Sequence, residues 1–177
     1  MSDGSVSENK ISITLNEKEH IEKIKNIINP DRKIYSYKKS NTFMYTNKED
    51  LEFLKSMGVT TNKSYDAKFL LFEDKIMPHY LRGWFDGDGS IYDSYTKNNG
   101  KEYLYQSVRI TSGSLMAIKQ MSRYLFSIGI HNTVTKDCRK DTFYLNIQRK
   151  ADVNKFKNFI YNEATIYLNR KYCKFMK

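Results

Sequence analysis

The chain has 177 residues, 40% hydrophobic and 14% aromatic, which suits one packed domain or two small ones sharing a core and argues against disorder. No apolar run approaches the roughly 20 residues of a membrane span, and the opening MSDGSVSENK lacks a charged-then-apolar signal pattern. The formal net charge of +10, spread along the chain rather than gathered in one amphipathic helix, points to nucleic acid rather than a lipid surface, in an intracellular setting (cytoplasm or organelle matrix), not a secreted one.

In chain order, Ile11, Ile13 and Leu15 alternate as in a half-buried strand. Lys18 to Ile28 places Ile21, Ile24 and Ile28 on one helical face, and Asn29-Pro30-Asp31 breaks it. Two aromatic-rich runs, Lys33 to Lys39 and Thr42 to Thr46, read as a hairpin turning at Ser40-Asn41. A helix with Leu51, Leu54 and Met57 follows, closed by Gly58. Farther on, Tyr103 to Thr111 alternates, with Leu104, Val108 and Ile110 on one side. Ser114 to Ile128 is a predicted helix ended by Gly129. Asn132 to Lys136 and Thr142 to Gln148 form a second hairpin, and a helix with Val153, Phe156 and Ile160 follows. The two halves therefore repeat: DGSVS at Asp3 matches DGSIY at Asp88, and each opening leads through strand, strand, helix, strand, strand, helix to a basic segment. Such units predict mostly antiparallel sheets with helices on one face and the other face free. The expected fold class is α+β, two pseudo-repeated units placed side by side as a saddle, with residues 1–76 as the first unit and 77–177 as the second. Cys138 and Cys173 have no CxxC or Cys/His spacing that suggests zinc.

Between the copies, Met77 to Gly89 reads MPHYLRGWFDGDG. Pro78 suits a first helical turn, and Leu81, Trp84 and Phe85 form an apolar stripe. Gly83 and Gly87 share a face at a spacing that suggests close packing against another helix. Asp88 falls at the helix end, where the dipole disfavours a carboxylate and a divalent cation would stabilise it. Taken alone, GWFDGDGS also fits a helix-to-turn cap or a calcium loop, although the later acidic ligands of an EF-hand are missing.

Leu81 to Gly89 resembles the LAGLIDADG signature of homing endonucleases, and with the repeat and the closing NRKYCKF the resemblance spans nearly the whole chain. It implies an αββαββα unit used twice, and site-specific cleavage of double-stranded DNA with a divalent metal, Mg2+ being the expected ion. Asp88 carries over onto the metal-binding position with the adjoining Gly87, and Asp3 carries over through the repeat. Lys63 in TNKSY and Lys171 in NRKYCKF match the lysine that this family places near the scissile phosphate. One departure stands out: only Met1 and Ser2 precede Asp3, so the first unit is expected to be truncated, lacking its leading motif helix. A second chain or fragment would then supply the helix, two chains would pair, or the protein would be a binding regulator derived from an endonuclease. An RNA-binding maturase on the same scaffold is a further alternative. No splicing-type residues stand at either end, so a complete intein is not expected, while intron or intein mobility and a free-standing gene all fit the resemblance.

For reading DNA, the strand face opposite the core side matters. Tyr103, Tyr105, Ser107, Arg109 and Thr111 form one row, and Tyr144, Asn146 and Gln148 another. These groups suit base edges, arginine to guanine and asparagine or glutamine to adenine above all. Lys136, Arg139 and Lys140 at the hairpin tip suit phosphates.

Overall fold

Alternating and helical periodicities give the expected elements in the computed structural model, which describes residues 4–59, 67–98, 100–138 and 140–176. The first unit contains β1 (Gly4–Val6), β2 (Ile11–Leu15), α1 (Lys18–Ile28), β3 (Ile34–Tyr37), β4 (Ser40–Tyr45) and α2 (Lys48–Ser56). Its antiparallel sheet has the order β1-β2-β4-β3. The second unit contains α3 (Met77–Asp88), β5 (Gly89–Asn98), β6 (Lys101–Ser112), α4 (Leu115–Ser127), β7 (Thr133–Lys136), β8 (Phe143–Ile147), α5 (Lys150–Tyr161), the short α6 (Asn169–Tyr172) and a 3-10 turn at Cys173–Met176. Its sheet, also antiparallel, has the order β5-β6-β8-β7. The shared strand order and the shared β-β-α-β-β-α succession make the fold α+β with two repeated units.

Local chemistry explains most boundaries. Asn47 caps α2, its Oδ1 accepting from the backbone N–H of Glu49 (2.9 Å) and Asp50 (3.3 Å). Ser114 caps α4 in the same way through Ala117 (3.2 Å). Gly58 and Gly129 close their helices at φ of +76° and +75°, the left-handed region that glycine enters without penalty.

Two expectations need correction. The first hairpin turns at Lys38-Lys39, with Lys38 at φ +52°, and not at Ser40-Asn41. Asn41 instead sits inside the sheet, donating to the carbonyl of Asn16 (2.8 Å) and accepting from Ser36 (2.8 Å), so its buried amide is satisfied. Leu104, expected on the core side, is 46% exposed. β6 pairs with β8 only from Val108 to Ser112, and Lys101 to Ser107 runs on as a two-stranded ribbon with β5. The described segment just before α3 packs with the second unit. Phe69 is buried there beside Tyr80 and Tyr124, its N–H donating to Gln120 (3.1 Å), while Ser114 donates to the Ala67 carbonyl (2.6 Å).

The second unit holds the larger core. Leu81 and Phe85 from α3 meet Val108 and Ile110 from β6, Met121 and Leu125 from α4, Leu145 and Ile147 from β8, and Phe156 and Ile160 from α5. Among the described residues no helix is long and apolar enough to cross a membrane.

Candidate nucleic-acid interface

The end of α3 separates two aspartates of the same motif. Asp86 faces inward and is 7% exposed. Its Oδ1 accepts from the Tyr161 hydroxyl (2.9 Å) and its Oδ2 from the Leu168 backbone N–H (3.1 Å). Burial first, then the charge and hydrogen bond of Asp86, push the Tyr161 phenol well above its ordinary range. One turn earlier, buried Arg82 donates to the carbonyls of Ile166 (2.8 Å) and Ile160 (2.9 Å) and meets His79 Nδ1 (2.7 Å). Burial lowers its pKa, against the opposing influence of Asp86. Asp88, two residues beyond Asp86, is exposed.

Gly89 turns the chain from α3 into β5. Its backbone is extended, so no unusual conformation demands glycine; an added Cβ would overlap the ring and carbonyl of Phe85. Gly83, by contrast, is exposed, and a Cβ there would meet nothing within 4 Å. Close packing at Gly83 is therefore not required within the second unit itself.

Lys171 has a different place from the one expected beside a phosphate. It is 4% exposed, and its Nζ donates to the carbonyls of Phe85 (2.7 Å), Asp86 (2.6 Å) and Gly87 (3.2 Å). These are last-turn oxygens, of which Phe85 O also accepts from the Gly89 N–H, at the end where a helix runs out of its own donors. The ammonium thus offsets the negative end of the α3 dipole immediately before Asp88. Part of the compensation that the sequence reading assigned to a metal comes from this side chain. Asp3 and Lys63 lie outside the described residues, as does Arg139. Among the described residues no group of three or more His, Cys, Asp or Glu side chains gathers as a metal site.

The open face of the second sheet follows from register. Ser90 pairs with Arg109 and Arg109 with Asn146, while Tyr92 pairs with Ser107 and Thr111 with Tyr144, so all share the face away from Ile91, Val108, Ile110 and Ile147. Arg109 lies over two rings, 5.3 Å from the Tyr92 centroid and 4.6 Å from that of Tyr144. Its Nε donates to Asn146 Oδ1 (2.8 Å), and Asn146 Nδ2 donates to Thr135 Oγ1 (3.1 Å). Ser107 and Asn146 are only 5% exposed, against the expectation that both stand free for bases. Tyr103 and Tyr105 lie on the ribbon and are exposed, as is Gln148 just past β8. Lys136 and Lys140 are exposed near the β7–β8 turn, Lys136 pairing with Asp141 (3.0 Å). Tyr92 and Thr135 escaped sequence reasoning; the β5–β6 register, readable from the DGSIY opening, would have found Tyr92.

On the first sheet the corresponding face is built from hydroxyls and aromatics. Ser5 meets Ser12 (2.7 Å), Thr14 meets Thr42 (3.0 Å), and Tyr35 and Tyr37 are exposed.

No curated protein matches the sequence. Residues 77–161 match the family model of the LAGLIDADG-like domain. The fold is similar to that of the I-SmaMI LAGLIDADG homing endonuclease bound to cleaved DNA, at 15% identity over 94% of this chain and 75% of that one, with a TM-score of 0.66. The same endonuclease bound to uncleaved DNA target with calcium ions matches at 15% identity, over 94% and 77% of the two chains, with a TM-score of 0.65. At such identity the likeness establishes a common fold. With the motif at the end of α3, the repeated sheet order and the match over residues 77–161, the second unit carries a LAGLIDADG-like domain.

Proposed function

We propose that this protein is a homing endonuclease that binds a specific duplex DNA site and hydrolyses its phosphodiester bonds with a divalent metal. The observation that carries this reading is the exposed carboxylate of Asp88 at the end of a helix whose terminal charge is offset by Lys171, one residue ahead of the strand that opens the Arg109 face. The solved complexes of I-SmaMI with cleaved and uncleaved DNA support the same reading for a shared fold. An intracellular location, in cytoplasm or organelle matrix, goes with it.

The donor chemistry fits a hard cation. Magnesium is commonly held by one or two carboxylates together with waters and substrate phosphates, so a large protein cage is not needed. The Asp88 carboxylate is an oxygen donor of that kind, whereas the Gly87 carbonyl already accepts from Lys171 (3.2 Å); Asp3 is the counterpart from the first copy. When bound, the ion neutralises charge developing at the scissile phosphate. Lys171 works from inside the fold as a positioning residue, holding the last turn of α3 and setting the field at Asp88. Lys136 and Lys140 contact phosphates, and the open sheet faces contact bases. Tyr103 and Tyr105 extend that surface along the ribbon.

The test is incubation of the full chain with a randomised plasmid library in Mg2+. Cutting at one site, lost in Asp88→Asn while binding in EDTA persists, supports the enzyme. Selective binding with no cutting by the wild-type chain overturns it in favour of a regulator, and preference for structured RNA overturns it in favour of a maturase.

A further inference from the structure

We infer that Arg109 reads a guanine in the major groove and that Asn146, rather than reading adenine, is the positioning residue that presents it. This rests on the reading of the second sheet as a DNA interface and names what one point of that interface recognises.

Three contacts fix the guanidinium. Tyr92 and Tyr144 lie 5.3 and 4.6 Å from it, ring centroid to Cζ, and Nε donates to Asn146 at 2.8 Å. The Tyr144 hydroxyl in turn donates to Asp137, which anchors one of the two rings. The asparagine can face only one way. A guanidinium has no acceptor, so the amide oxygen must meet Nε, and the amide nitrogen then donates to Thr135 Oγ1 at 3.1 Å. Both ends of the Asn146 amide are therefore engaged, and the side chain is 5% exposed. It lacks the open donor-acceptor edge that a bidentate contact with adenine requires.

With Nε used, Arg109 retains the coplanar donors on Nη1 and Nη2, which have no hydrogen-bond partner among the described residues. Guanine offers O6 and N7 as adjacent acceptors in the major groove. Adenine places an N–H2 donor at one of those positions, cytosine offers a donor, and thymine a single carbonyl beside a methyl group. A fixed pair of parallel donors thus selects guanine. Place in the sheet favours a base over a phosphate. Arg109 and Asn146 stand on β6 and β8, the two central strands of the order β5-β6-β8-β7, whereas backbone contacts fall to the rim. Pre-fixing the plane also lowers the ordering cost of binding, a benefit that a flexible phosphate contact does not need.

The experiment selects bound sequences from randomised duplex DNA with the full chain in EDTA, so that cleavage plays no part. The wild type is expected to fix guanine at one position in the site. Arg109→Lys, which keeps the charge, should lose discrimination at that position by about tenfold or more while other positions hold. Asn146→Ala should weaken preference at the same position and no other, with melting temperature followed as a folding control. Uniform weakening of all sequences by Arg109→Lys would make Arg109 a phosphate contact, and a changed preference at a different base pair in Asn146→Ala would make Asn146 a base reader; either overturns the inference. A wild type with no sequence preference sinks the interface reading itself, whatever the variants do.

Discussion

Glycine at 89 and glycine at 83 share a helix or its end, yet they answer to different physics. At Gly89 the obstacle to a side chain is Phe85, whose ring and carbonyl occupy the Cβ position. Gly89→Ala should therefore cost about 1–3 kcal/mol through overpacking, read as a lower Tm in thermal denaturation. An unchanged Tm would mean that the Phe85 ring moves aside freely. Gly83 has open space around it, so Gly83→Ala should instead stabilise the free chain by about 1 kcal/mol, the usual helix-interior gain. Loss of stability there would place a neighbour against that face. The paired aspartates teach a similar lesson. Sequence spacing put Asp86 and Asp88 in one motif, but only packing shows that Asp86 is spent on Tyr161 and Leu168 while Asp88 is exposed. Asn146 and Ser107 were legible as members of the open face, because register follows from alternation. Their burial was not, because it depends on the side chains of neighbouring strands, Arg109 bonded to Asn146 among them.

Elements show what a local pattern can and cannot supply. The helix over Lys18–Ile28 and the caps at Ser114 and Gly129 were readable because the apolar spacing and the cap chemistry agree. The Lys38-Lys39 turn was not, since a Lys-Lys pair carries no turn signal and the adjacent Ser-Asn does. Leu104 failed for another reason: alternation tells which face a residue takes, not how far the helices cover that face. Lys171 is the clearest case of a charge matched to a place beside a phosphate that is built into the fold. Lys171→Met should destabilise the chain in urea unfolding by about 1–3 kcal/mol even without DNA, since three carbonyls lose a charged donor. Equal stability would return Lys171 to a role on the nucleic acid. The α3–α5 contact is also pH-dependent. Tyr161 keeps its proton in the folded chain above the pH, about 10, at which an unfolded tyrosine loses it. Tyr45 behaves alike, raised to about 12 by burial and then by Asp50. Both contributions are complete below about pH 10 and decline as pH rises toward the folded values. Tyr161→Phe should flatten the fall of Tm between pH 9 and 11 (about one unit either side of the free phenol) relative to the wild type. An equally steep fall would show that the proton on this residue is not coupled to folding.

At the scale of the whole molecule, duplication of the element order does not mean duplication of stability. In the first unit the described buried apolar residues are Val6, Ile11, Ile21, Phe43 and Leu51. The second unit buries residues from α3, β6, α4, β8 and α5 around Phe85 and Phe156, with aromatic contacts running on to Tyr161 and Phe175. Apolar burial is worth about 25 cal/mol per Å², so the difference in core size translates into a difference in resistance to opening. Exposed apolar groups in the first unit, among them Ile27, Tyr35, Tyr37 and Phe53, add surface that contributes nothing to its core. Local opening follows such differences within one chain, with weakly packed parts exchanging far below the global free energy. Amide hydrogen exchange on the full chain should therefore show the backbone of β2 and α1 exchanging much faster than that of β6, α4 and α5. On DNA, the hydroxyl-lined first sheet should gain the larger share of protection, because a weakly held unit has more opening to suppress when its open face is bound. Uniform protection in the free chain would mean that the first unit is held by interactions other than its own core, and the stability of the repeat would have to be sought outside it.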